Sequence, residues 1–213
     1  MLEIHMVYSV QMPVKFLIFL HIPMSPPRPT ELAQCILRQL IAEGDLTIDA
    51  TAGNGHDTLF LAECVGHSGQ VLAFDIQQSA LDAARVHVNQ AGWTERVNFY
   101  QTSHANLSEH AQAETASVVV FNLGYLPGGD HDLTTEASET LRALDAAATA
   151  LKPGGTLSII CYPGHPQGAT EAAAVETWSR NRAEHGWRMA EYRLHGTLKP
   201  APFLILLGKK AGH

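Results

Sequence analysis

The segment Asp49-Ala50-Thr51-Ala52-Gly53-Asn54-Gly55-His56-Asp57-Thr58 brings together the end of an apolar run, two closely spaced glycines and the start of a helix. Gly53 and Gly55 let the backbone turn tightly and come close to a ligand where a β-carbon would collide. Twenty residues beyond Gly55 a second apolar run, Gln70-Val71-Leu72-Ala73-Phe74, ends in Asp75. A carboxylate at that distance can accept hydrogen bonds from both hydroxyls of a ribose, so the spacing fits one βαβ unit holding a nucleoside-bearing cofactor. Dinucleotide sites want a third glycine three residues after the second, and Thr58 stands there instead. S-adenosylmethionine has no phosphate and carries a positive sulfonium, which makes the acidic Asp49 welcome. The residues therefore point to S-adenosylmethionine, held by Asp49, Thr51, Gly53, Asn54, Gly55, His56, Asp57, Asp75 and Gln77.

A second dense region, Asn122-Leu123-Gly124-Tyr125-Leu126-Pro127-Gly128-Gly129-Asp130-His131, follows the run Val118–Phe121. An Asn followed three residues later by Tyr resembles the Asn-Pro-Pro-Tyr loop of methyltransferases that alkylate exocyclic or primary nitrogens, with Leu123 and Gly124 in place of the prolines. There the amide and a backbone carbonyl hold the amine so that its lone pair faces the methyl group. Asn122 and Gly124 would also border the cofactor. An aliphatic amine has a pKa of about 10, so its proton must be accepted by a neighbour or its pKa lowered by burial. Asp130 and His131 are the candidates, which gives a catalytic set of Asn122, Tyr125, Asp130 and His131. His104 and Asn106 follow the third strand and suit the adenine, while Tyr125, Tyr162 and His165 suit the methyl acceptor. His104, His131 and His165 lack the local spacing that marks zinc, and no metal is assigned.

Positioning these groups takes alternating strands and helices. The sequence predicts a helix capped by Thr30 and ending near Gly44, strands at Leu46–Asp49 and up to Asp75, and a helix from about Gly55 to Val65. Ser79 is expected to cap the next helix, followed by strands Val97–Tyr100 and Val118–Phe121 and a helix Leu133–Leu151 closed by Lys152-Pro153-Gly154-Gly155. Strand Thr156–Cys161, a helix from Gln167 to His185 and strands Arg188–Leu194 and Pro202–Leu207, joined by a short loop, complete the plan. The fold class is α/β: a Rossmann-like, mostly parallel seven-stranded sheet covered on both faces, with an antiparallel edge hairpin and ligands at the carboxyl ends of the strands.

The chain of 213 residues suits one domain, read as residues 30–213, with 1–29 an N-terminal extension ending in a Pro-rich linker. The apolar Val14–Leu20 is broken by His21 and Pro23, so neither a signal peptide nor a membrane anchor is expected. Cys35, Cys64 and Cys161 are odd in number and lack a Cys-x-x-Cys pair, which fits a reducing cytoplasm. A net charge of -7 with only 14 Lys and Arg disfavours a broad nucleic-acid groove, leaving Arg180, Arg182, Arg188, Arg193 and Lys199 as either a local patch or solvated faces.

Taken in order, the Gly53–Gly55 turn, Ser103-His104-Ala105-Asn106-Leu107, the Asn122–Asp130 loop and Tyr162-Pro163-Gly164-His165-Pro166 resemble a family of class I methyltransferases labelled as rRNA methylases, over roughly residues 30 to 210. The resemblance implies methylation of the amine of 5-aminomethyl-2-thiouridine at the tRNA wobble position, with tRNA as partner; a homodimer is left open. The segment Gly196-Thr197-Leu198-Lys199-Pro200-Ala201-Pro202 departs from the family, which has an Asn-rich stretch there. The competing readings are a methyltransferase for rRNA or a small-molecule amine, and a non-catalytic cofactor-binding partner subunit.

Overall fold

The structure is a computed structural model that describes residues 25–124, 137–164 and 166–211. Helix α1 (Pro29–Leu40) leads into β1 (Leu46–Asp49), α2 (His56–Val65), β2 (Gln70–Asp75), α3 (Gln78–Gln90) and β3 (Val97–Gln101). Then come β4 (Ala116–Leu123), α4 (Ala137–Ala150), β5 (Leu151–Cys161), α5 (Pro166–Glu184), β6 (Arg188–Arg193) and β7 (Phe203–Gly208). The seven strands form one sheet in the order β3-β2-β1-β4-β5-β7-β6. Strands β1 to β5 run parallel, and β7 is antiparallel to both β5 and β6.

Strand β4 is at the centre and is buried on both faces. Val119 and Phe121 join Ile48, Leu144, Ile159 and Phe203 on the α4 and α5 side, while Val118 and Val120 join Leu61, Val71 and Leu81 on the α2 and α3 side. Its continuous apolar run is what a doubly covered parallel strand requires. The order of strands reverses between β1 and β4, so the crevice between their carboxyl ends is the topological switch point.

Three local expectations are corrected. Thr30 does not cap α1: the helix begins at Pro29, whose missing N–H costs nothing at the first position, and Glu31 Oε2 accepts from the Arg28 backbone N–H at 2.9 Å. Ser79 does not cap α3, because Asp75 Oδ1 accepts from the Gln77 N–H at 2.9 Å and the helix starts at Gln78. Lys152-Pro153-Gly154-Gly155 lies within β5 as a bulge that shifts its register with β4, tied down by Gly154 N–H to Lys209 O and Lys209 N–H to Gly155 O. The expected start of α4 at Leu133 and the extension up to residue 24 fall outside the described residues.

Candidate active site

The turn after β1 is built around Asp49, which is completely buried. Its Oδ1 accepts from the Thr51 N–H at 3.1 Å and its Oδ2 from the Thr58 hydroxyl at 2.6 Å. Thr58 thus occupies the third-glycine position with a side chain that closes the turn from within. Gly55 has φ +82°, and a β-carbon there would meet the Ala84 Cα at 2.6 Å, which brings α2 hard against α3 and admits only glycine. Asp75 spans the next gap, its Oδ2 accepting from the Gly53 N–H at 2.9 Å while Oδ1 holds Gln77. Each carboxylate oxygen has a further lone pair, so Asp75 is aimed and still able to accept from two ribose hydroxyls.

Strand β4 is fastened to this turn. The Asn122 N–H donates to Thr51 Oγ1 at 2.8 Å, and its Nδ2 donates to Asp57 Oδ2 at 3.3 Å. On its other oxygen Asp57 accepts from Gln34 Nε2 of α1 at 2.9 Å. Because a carboxylate only accepts, Asp57 dictates which end of the Asn122 amide it meets. Asn122 Oδ1 is left buried with no hydrogen-bond partner among the described residues. A buried acceptor in that state is costly unless a ligand donates to it.

Tyr162 follows β5 and packs its ring against Gly124, where a β-carbon would lie 3.3 Å from the ring. Burial, and after it the Asp57 charge, push the phenol above its ordinary value, against the opposing effects of Asn122 and Arg28. His104 is 7% exposed and its Nε2 also has no partner among the described residues. Burial pushes its imidazole below the ordinary value, opposed by the charges of Glu139 and Asp75. His56 lies edge-on to His87, their centroids 4.9 Å apart, and His87 Nδ1 is 3.3 Å from the Asn54 carbonyl. Asn106 donates to Thr102 at 2.9 Å.

The structure thus brings Asp49, Thr51, Gly53, Asn54, Gly55, His56, Asp57, Asp75, Gln77, His104, Asn122, Gly124 and Tyr162 to one sheet edge. Tyr125, Asp130, His131 and His165 fall outside the described residues. Gln34 carries no local sequence signal for the site, since it reaches Asp57 across 23 residues. Among the described residues no group of three His, Cys, Asp or Glu side chains could hold a metal ion, and no helix is long and apolar enough to cross a membrane.

The electrostatics of the crevice discriminate between cofactors. Burial raises the Asp49 carboxyl to about 7, and the charges of Asp57 and Asp75 add to the effect against hydrogen bonds from Thr58 and Thr51. The carboxylates of Asp57 and Asp75 suit a cationic ligand and repel a pyrophosphate, so the residues fit S-adenosylmethionine. Asp49 also links stability to pH. Its folded pKa lies above the unfolded value of about 3.9, so its stabilising contribution is complete below that pH and is lost as pH rises through about 7. Asp49→Asn should remove a slope of up to about 1.4 kcal/mol per pH unit between those limits, measured by urea unfolding at several pH values. Identical slopes in both proteins would contradict this assignment.

The family described as "Putative rRNA methylase" matches residues 71–208. The chain belongs to this family. It is 38% identical over 194 residues to the "tRNA (mnm(5)s(2)U34)-methyltransferase, chloroplastic" of Arabidopsis thaliana, covering 86% of this chain and 70% of that one. A solved structure of a Clostridium thermocellum protein with the same rRNA-methylase description aligns with TM-score 0.84 and 29% identity, over 87% of this chain and all of that one. A Streptococcus mutans protein described as "a putative methyltransferase", solved in complex with SAH, aligns with TM-score 0.77 and 30% identity, over 87% of this chain and 99% of the other. The protein is a methyltransferase of the class I fold, and the pattern of glycines and acids after β1 and β2 is the part of that fold that its sequence displays most openly.

Proposed function

We propose that this protein transfers the methyl group of S-adenosylmethionine to the amine of 5-aminomethyl-2-thiouridine at the tRNA wobble position. The observation that carries the acceptor chemistry is the buried Asn122 Oδ1, without a partner among the described residues and oriented by the Asp57 contact to Asn122 Nδ2. It can accept one N–H of a primary amine and turn the lone pair of the same nitrogen toward the cofactor. When bound, the cofactor supplies an electrophilic methyl group on a sulfonium. Asp75 and the Gly53–Gly55 turn hold the adenosine part, and His104 Nε2 offers a neutral hydrogen-bonding group beside it. Tyr162, kept protonated by its surroundings, borders the acceptor. Methyl transfer by in-line displacement draws mostly on such positioning. The deprotonation role stays with Asp130 and His131.

The 38% identity to the Arabidopsis wobble-uridine methyltransferase supports this substrate over rRNA or a small amine. A wobble nucleotide lies in a single-stranded loop, so presenting its base costs little unstacking. Nucleoside digests of tRNA from a strain lacking the gene, read by mass spectrometry, should lose the 5-methylaminomethyl base and accumulate the aminomethyl precursor. Unchanged wobble nucleosides would refute the assignment.

A further inference from the structure

The arginines singled out in the sequence are largely spent within the fold. Arg180 pairs with Glu176 at 3.5 Å, Arg182 with Asp145, and Arg193 with Glu176 and Glu191 while its guanidinium lies over the Phe203 ring. Lys209 is spent too, donating to the Ala148 and Leu151 carbonyls at the end of α4. Among the described residues, the only Lys and Arg side chains with neither an ion pair nor a hydrogen bond are Arg188, Lys199 and Lys210.

Their places in the sheet separate these three. Arg188 is in register with Gly208, which pairs with Thr156 at the amino end of the parallel strands, and the Gly186 contact brings Lys210 to that end too. Lys199 belongs to the loop 194–202 between β6 and β7, which leaves the sheet where Arg193 and Phe203 stand opposite Cys161. That is the carboxyl edge, beside Tyr162. The loop touches the segment after Tyr162, since a β-carbon on Gly164 would lie 3.5 Å from the Pro200 carbonyl. Loop and segment border an open depression of about 390 Å³, lined among others by Pro163, His195, Thr197, Leu198, Lys199 and Pro200. Leu198 is fully exposed.

We infer that the loop 194–202 is the RNA contact of this enzyme, taking a nucleotide that flanks the methylated one. The depression has room for one base and is open to solvent, as a surface contact for single-stranded RNA requires. Pro163, Leu198 and Pro200 offer apolar surface to a base, and Lys199 meets its phosphate. Charge complementarity decides the occupant. The chain carries a net charge of -7, so most of its surface repels RNA, and the one uncommitted Lys or Arg among the described residues at this edge stands next to the acceptor site. This inference rests on the proposed wobble-uridine activity and assigns it a surface.

The test is binding of an anticodon stem-loop by fluorescence anisotropy across a salt series, alongside methyl transfer to the same RNA carrying the aminomethyl base. Lys199→Ala should lower the slope of log affinity against log salt by about 0.7, one single-strand phosphate contact. Lys199→Ala combined with Leu198→Ala should weaken RNA binding about tenfold or more. Lys210→Ala removes the same charge from the opposite edge and should leave RNA binding unchanged. S-adenosylmethionine affinity reports whether each variant is folded. Unchanged RNA affinity and salt slope in the loop variants, or an equal loss from Lys210→Ala, would overturn the inference. Loss of RNA binding in the loop variants, with no methyl transferred by the wild type, would instead overturn the acceptor assignment and leave the RNA surface standing. A wild-type protein that binds no RNA would overturn both.

Discussion

Asn122→Ala should lower kcat by about 10²–10³-fold while changing S-adenosylmethionine affinity by less than about threefold. The variant removes a buried acceptor that no described residue satisfies, Asn122 Oδ1, and spares the Asn122 N–H bond to Thr51 Oγ1 that joins β4 to the turn. The turn itself is closed by Asp49, Thr58 and Asp75, none of which depends on the amide side chain. Cofactor binding and amine placement are therefore separable. Single-turnover rates and isothermal titration with the cofactor would resolve them. An equal loss in both would mean that Asn122 holds the cofactor and not the amine.

Asp75→Ala should have the opposite signature, raising the dissociation constant for S-adenosylmethionine by about 100-fold with kcat near the wild-type value at saturation. Two effects add. Hydrogen bonds to a charged group contribute about 1.5–3 kcal/mol each, and the ribose loses its acceptor. In addition, the Gly53 and Gln77 N–H groups lose the carboxylate that fixes the turn against the start of α3. S-adenosylhomocysteine shares the ribose, so its affinity should fall in parallel. A variant that bound the cofactor normally would show that the backbone alone holds the nucleoside.

The succession of strands and helices and the turn between β1 and α2 can be read from the chain because both depend on short spacings. The Gly53–Gly55 turn and the distance to Asp75 are local consequences of one βαβ unit, and Val118–Phe121 betrays a central strand through its unbroken apolarity. Features decided by tertiary contacts were less visible. Thr30 and Ser79 have good capping side chains, yet Pro29 and the Asp75 carboxylate set the helix starts first. Pro153, Gly154 and Gly155 spell a turn, but the neighbouring backbone at Lys209 draws them into β5 as a bulge. Asp49 illustrates a third case: its type suggested attraction to a sulfonium, whereas its burial and its bonds to Thr51 and Thr58 show that it also shapes the turn. The Asn122–Tyr125 segment resembles an amine-holding loop, and the Asp57 contact shows which way the Asn122 amide faces.

Gln34 gives the first helix a stake in the chemistry. Packed across the β5 and β7 side of the sheet through Ala33, Ile160 and Leu204, α1 looks like cover for an apolar surface. Yet its Gln34 holds one oxygen of the carboxylate whose other oxygen orients Asn122. The boundary of the minimal active unit therefore falls ahead of the sheet. A fragment cut to begin at β1 would keep its cofactor turn and lose the strut that keeps the acceptor amide in place.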